Sequence, residues 1–197
     1  MYDSAFQKLK IRSCVLGVAS ICFFLLNSLV AVRDVKLVAY KTFNDSGWKE
    51  HDRILLDNIF YPKDSCRIAD SLSAAQLKAL VDFLNKNKNL TVIINVFADE
   101  NDPAVAINAT RCRSKAVCEY LRSSGIDFHR LNYFGYGGSA PFQLQNDVML
   151  PSGNVAKKGK YLNEKYLYAF KYNNDDYEFL RALNRRTELM IVATNYQ

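Results

Sequence analysis

The chain has 197 residues, enough for one domain of ordinary size with appendages and too few for two substantial cores at about 100 to 200 residues each. Hydrophobic residues make up 49% and charged residues 23%, which excludes a disordered chain and a multi-span membrane protein, while 8 Gly and 4 Pro exclude collagen-like and low-complexity classes. Lys plus Arg outnumber Asp plus Glu by 26 to 20, for a net charge of +6, but no block of basic residues forms, so nucleic acid is not an expected partner.

Residues 1–13 carry Lys8, Lys10 and Arg12 and form a basic, cytoplasmic n-region ahead of nineteen uncharged positions, Cys14 to Val32 (CVLGVASICFFLLNSLVAV). The run 14–32 is a signal anchor or a signal peptide. Its length favours a membrane-spanning helix, which needs about 20 apolar residues, over the about 7 to 15 of a signal peptide, and no small-x-small cleavage site follows. The basic side stays inside, so everything from residue 33 onward is expected outside the cytoplasm. Residues 33–51 read as a linker or N-terminal arm, loosely alternating from Val35 to Phe43.

Ile54 to Tyr61 (ILLDNIFY) reads as the first firm strand, ended by Pro62. Ser73 and Gln76 have capping-box spacing and predict a helix start, with Leu77, Leu80, Val81 and Leu84 on its core face. Thr91 to Ala98 (TVIINVFA) is β-branched and nearly all apolar, the pattern of a central strand. A polar turn follows Asp99, and a second helix is expected from Val105 to Ser123, with Ala109, Ala116, Val117, Tyr120 and Leu121 inward and Gly125 as its stop. Arg130 to Tyr136 and Thr187 to Ala193 read as the third and fourth strands. The tyrosine-rich segment 141–183 between them is too long for a turn and predicts helices at 163–170 and 175–183. The fold class is therefore α+β, in the order β-α-β-α-β-β, with two helices on one mixed sheet and a long insert before the last strand.

Of the five cysteines, Cys66, Cys112 and Cys118 lie in the exported part, where one disulfide is permitted: Cys66 with Cys112 or with Cys118. Cys112 and Cys118 are separated by about 9 Å of helical rise, too far to pair with each other. His51 and His129 have no patterned partner, so no metal site is expected, and no cofactor. No Ser-His-Asp order, Cys-His pair or paired carboxylates can be assembled, so no catalytic residues are expected.

Four stretches in order carry a family resemblance: the strand end NVFAD at Asp99, the helix TRCRSKAVCEYL from Thr110 to Leu121, the run GIDFHRLNYFGYGGSAP from Gly125 to Pro141, and the closing NRRTELMI from Asn184 to Ile191. Together with DNIFYPKDS after the first strand, they resemble the OmpA-like C-terminal domain over about residues 52–193, within a domain spanning 52–197. The sequence departs from that pattern at Phe97-Ala98, where the family has His-Thr, and in a turn one residue shorter. The resemblance implies a periplasmic module of a Gram-negative envelope that binds the peptide stem of peptidoglycan without catalysis. It assigns Asp99 to the ligand's ammonium and Arg113 to its carboxylate, with Arg185 or Arg186 helping to hold the peptide. A zwitterionic amino acid end needs one group of each charge, and Arg offers a planar fork to a carboxylate. The aromatic insert 141–183 adds an expected surface for envelope protein partners, and the alternative reading is a scaffold subunit of a secretion system or motor stator that contacts protein rather than cell wall.

Overall fold

The computed structural model describes residues 40–63, 65–99 and 103–197. The basic n-region and the apolar run 14–32 lie outside these residues, and among the described residues no helix is long and apolar enough to cross a membrane. Seven strands are described: β1 (Tyr40–Lys41), β2 (Arg53–Leu55), β3 (Thr91–Phe97), β4 (Leu131–Gly137), β5 (Val148–Met149), β6 (Val155–Ala156) and β7 (Thr187–Ala193). The four α-helices are α1 (Asp70–Lys86), α2 (Pro103–Ser123), α3 (Glu164–Leu167) and α4 (Asn174–Asn184). One sheet has the order β1-β2-β7-β3-β4; β7 runs antiparallel to β2 and β3, while β1 with β2 and β3 with β4 are parallel. The architecture is the expected α+β one on a mixed sheet, with the last strand in sequence inserted between β2 and β3.

The main core follows from the two apolar stripes. Leu77, Leu80 and Leu84 of α1 and Val117 and Leu121 of α2 are buried with Val92, Ile94 and Val96 of β3 and Leu189 and Ile191 of β7. Each fully buried side chain of this kind contributes about 1.5 to 3 kcal/mol. Helix α2 lies very close to β4, because a Cβ on Gly135 would fall inside the backbone of Arg111. Glycine there lets a helix touch a strand. Thr110 completes that seam, its Oγ1 accepting from the Gly137 N–H at 3.0 Å while donating back into its own helix. The buried Arg130 donates to the carbonyls of Leu84 and Asn87, which the C-terminal end of α1 leaves free, and to that of Leu90 just before β3.

Two expected boundaries shift. The first strand is three residues long rather than eight, because Asp57 and Asn58 turn the chain immediately after the Leu56 N–H has bonded the Thr187 carbonyl. Helix α1 begins at Asp70 rather than at Ser73. Ser73 is buried, and its Oγ accepts from the Phe60 N–H at 2.9 Å, so the hydroxyl serves the incoming loop rather than a helix end.

The insert has a core of its own. Leu144, Leu150, Leu162, Leu167 and Leu180 are buried together, apart from the main cluster. The expected helices are present, the first as α3 continued by a 3-10 turn, Tyr168–Phe170, and the second as α4. Asn163 and Asn173 cap them, each side chain accepting from a first-turn N–H. The buried Asp176 of α4 holds the turn between β5 and β6, accepting from the N–H of Ser152 at 2.9 Å and from its hydroxyl at 2.6 Å. Asn184 closes the segment: its Oδ1 accepts from the Phe142 N–H and its Nδ2 donates to the Leu162 carbonyl, both at 2.8 Å.

Candidate functional site

The exit of β2, the end of β3, the third turn of α2 and the C-terminal end of α4 converge on a cavity of about 220 Å³. Arg113, Arg185 and Arg186 line it together with Asp57, Tyr61 and Phe97. Three cations face one carboxylate in its wall. This is a place for an anionic group with a positive group beside it.

Arg113 is set by the loop in front of α1. A disulfide joins Cys66 to Cys112, with the α-carbons 5.5 Å apart, and clamps that loop onto α2 one residue from Arg113. The Ser65 carbonyl then accepts from Arg113 Nε at 3.0 Å, and the guanidinium carbon sits 5.1 Å from the centre of the Tyr61 ring. Its terminal NH₂ groups make no hydrogen bond among the described residues. Burial pushes the Tyr61 hydroxyl up to about 12, which keeps it a neutral donor beside the arginine. Cys118 is the third cysteine; it is free, buried, and donates its thiol to the Asn132 carbonyl at 3.3 Å.

Asp99, two residues past the end of β3, is held by two ion pairs. Its Oδ2 accepts from Arg185 Nη1 at 2.6 Å and from Arg181 Nη2 at 2.9 Å, so its immediate partners are two arginines of the α4 end rather than Arg113. Oδ1 makes no hydrogen bond among the described residues. Arg181 was invisible to motif reasoning because it belongs to the insert; its spacing of four from Arg185, one helical turn, was the signal available. Asp57, the carboxylate in the cavity wall, opens the DNIFYPKDS stretch that follows the first strand.

Arg186 is held rather than free. Its guanidinium lies 3.7 Å from the centre of the Phe97 ring and 5.3 Å from that of Phe142, and its Nε donates to Glu188 Oε1 at 2.7 Å. Glu188 is fully buried and also accepts from the Tyr40 hydroxyl at 2.5 Å and from Arg53 Nη1 at 3.2 Å. Burial first, and the Glu188 charge second, push the Tyr40 hydroxyl above its ordinary range. This network fixes the floor of the cavity, since a buried carboxylate with three donors cannot shift without losing them.

The fold has counterparts among solved structures. The structure is similar to the crystal structure of the periplasmic domain of Helicobacter pylori MotB (residues 78–256), with a TM-score of 0.50 and 14% identity over 79% of this chain and 87% of that one. It is also similar to the cell wall anchor of the T6SS from Pseudomonas aeruginosa (TM-score 0.46, 18% identity, 72% of this chain and 79% of that one). A third similar structure is the peptidoglycan-associated lipoprotein from Burkholderia pseudomallei (TM-score 0.45, 18% identity, 68% of this chain and 87% of that one). No family model and no curated protein matches the sequence.

Proposed function

We propose that this is a non-catalytic, exported cell-envelope protein whose OmpA-like domain binds the stem peptide of peptidoglycan in a Gram-negative periplasm, with the apolar run 14–32 holding it at a membrane. The observation that carries the reading is the convergence of Arg113, Arg185 and Arg186 with Asp57 in one cavity, with the Asp99 carboxylate bonded behind Arg185. The diaminopimelate end of a stem peptide carries a carboxylate and an ammonium. Arg113 takes the carboxylate; Asp57 and Asp99 are the acceptors for the ammonium. Arginines hold such charges and do not exchange protons, which suits retention rather than turnover.

A protein-contacting role in an envelope machine is favoured by one separate feature, the exposed apolar and aromatic residues of the insert, with Tyr172 91% and Met149 71% accessible. The two roles use different surfaces and are compatible.

Arg113→Ala leaves the ligand carboxylate unmatched, at a cost of about 2 to 4 kcal/mol in a desolvated site. The expected outcome is that the full chain sediments with purified sacculi and that Arg113→Ala, with an unchanged melting profile, stays in the supernatant. Wild-type sedimentation of that variant would remove the assignment.

A further inference from the structure

Beside the arginine cavity a second one, of about 200 Å³, opens between the sheet and the insert, and Phe97, Phe142 and Arg186 border both. Its character is different. Three tyrosines face it, Tyr40 from β1, Tyr136 from β4 and Tyr161 from the insert, along with Phe142. Its two arginines, Arg53 and Arg186, share the buried Glu188, so one net positive charge remains. Gln143 and Gln145 supply amides. Gln145 Nε2 donates to the Gln143 carbonyl at 2.6 Å and Gln143 Nε2 to the Gly159 carbonyl at 3.2 Å, which fixes both groups and leaves their side-chain oxygens without a hydrogen bond among the described residues. Tyr161 is held in place by a backbone bridge to Gln143, yet its side of the cavity stays open to solvent, with 47% of the residue accessible.

An anion site would concentrate unmatched cations, and a site for a purely apolar ligand would not place two amides and a guanidinium around the rings. Aromatic faces combined with fixed amides and nearly balanced charge suit a neutral, hydroxylated ring. The C–H face of a pyranose presents slightly positive hydrogens to the negative face of an aromatic ring, while its hydroxyl and acetamido groups find the amides and the guanidinium of Arg53. The volume lies below the roughly 300 to 1,000 Å³ of pockets for drug-sized ligands and suits a single ring. We propose that this cavity is a saccharide subsite that takes one N-acetylated sugar of the glycan strand. The proposal rests on the stem-peptide reading of the neighbouring cavity, because the stem peptide is joined to such a sugar and the two cavities share a wall.

The test is calorimetric titration of the full chain with three probes: a diaminopimelate-containing stem peptide, the same peptide carrying its N-acetylated disaccharide, and a β-1,4-linked trimer of N-acetylglucosamine. One well-placed aromatic stack adds about tenfold in affinity, so the sugar-bearing peptide is expected to bind about that much more tightly than the bare peptide. Tyr161→Ala should abolish the difference while leaving the bare peptide's affinity unchanged, and Tyr161→Phe, which keeps the ring, should preserve it. Equal binding of the two peptides by the wild type, or an equal loss for both in Tyr161→Ala, overturns the subsite. If the trimer binds through Tyr161 and the bare peptide does not bind, the saccharide subsite stands and the stem-peptide reading falls. If neither sugar-bearing probe binds, the subsite falls, and binding of the bare peptide decides the stem-peptide reading separately.

Discussion

A single buried carboxylate organises the candidate site. Glu188 is inaccessible and accepts from Tyr40, Arg53 and Arg186, so it sets the Arg186 guanidinium against Phe97 between the two cavities. Glu188→Gln removes the charge that both guanidiniums answer. Because Arg53 is partly exposed and screened, the cost is expected near the lower end for a broken buried pair, about 3 kcal/mol, which lowers the melting temperature by about 10 °C in a chain of this size. Differential scanning calorimetry of the variant checks it. The pH dependence has a definite sign. Burial pushes the Tyr61 hydroxyl and the Cys118 thiol each up to about 12, from ordinary values of 10.0 and 9.0. Both groups stay protonated in the folded chain while the unfolded chain loses its protons, so the unfolded state binds fewer protons and stability falls as pH rises through roughly 9 to 12. Urea midpoints measured from pH 8.5 to 11.5 should decline, and less steeply in Cys118→Ala; a flat profile contradicts the burial of these groups.

Among the elements, α2 carries Arg113 and is tied down at three places. Gly135 lets it lie against β4, Thr110 ties it to the end of that strand, and the Cys66–Cys112 bridge fastens the loop that meets Arg113. The bridge closes a loop with a sequence separation of 46, for which the chain-entropy account gives about 4 kcal/mol. Replacing both cysteines by serine should therefore lower stability by about 2 to 4 kcal/mol in urea. It should also weaken binding of the bare stem peptide, because Ser65 no longer holds the Arg113 guanidinium. Undiminished peptide affinity in the folded double variant would show that the bridge serves stability alone.

Across the whole molecule, two clusters of buried side chains divide the work. The main core lies between the helices and the sheet, and the insert buries its own leucines around α3 and α4. Ordering some forty residues costs about 1 to 2 kcal/mol each in backbone entropy, and the second core is the compensation. Replacing residues 144–180 by a short Gly-Ser linker is expected to leave a cooperatively melting domain, because none of the main-core residues is removed. The same deletion takes away Gln145, Tyr161 and most of the helix that sets Arg181 against Asp99, so it should abolish the gain from the sugar and any co-purification with envelope partners while sacculus binding persists in weakened form. A deletion variant that does not fold would show that the insert stabilises the main domain.

Much of this protein is legible along the chain. The β-branched run at 91–97, the leucine stripe of α1 and the close of β7 at Ala193 follow from periodicity, which depends only on neighbouring residues. The arginines at 113, 185 and 186 followed from family motifs, and the structure brings all three to one cavity. Partnership did not follow, because it is set by contacts between distant parts of the chain. Asp99 meets Arg181 across 82 residues, and Tyr40 meets Glu188 across 148. Ser73 carried a helix-start signal, and a backbone N–H thirteen residues away claimed its hydroxyl. Spacing determined which side chains share a face of a helix or strand; the packing of the insert against the sheet decided which charges are paired and where a second cavity opens, since ion pairs and cavities form only when separate elements close on one another.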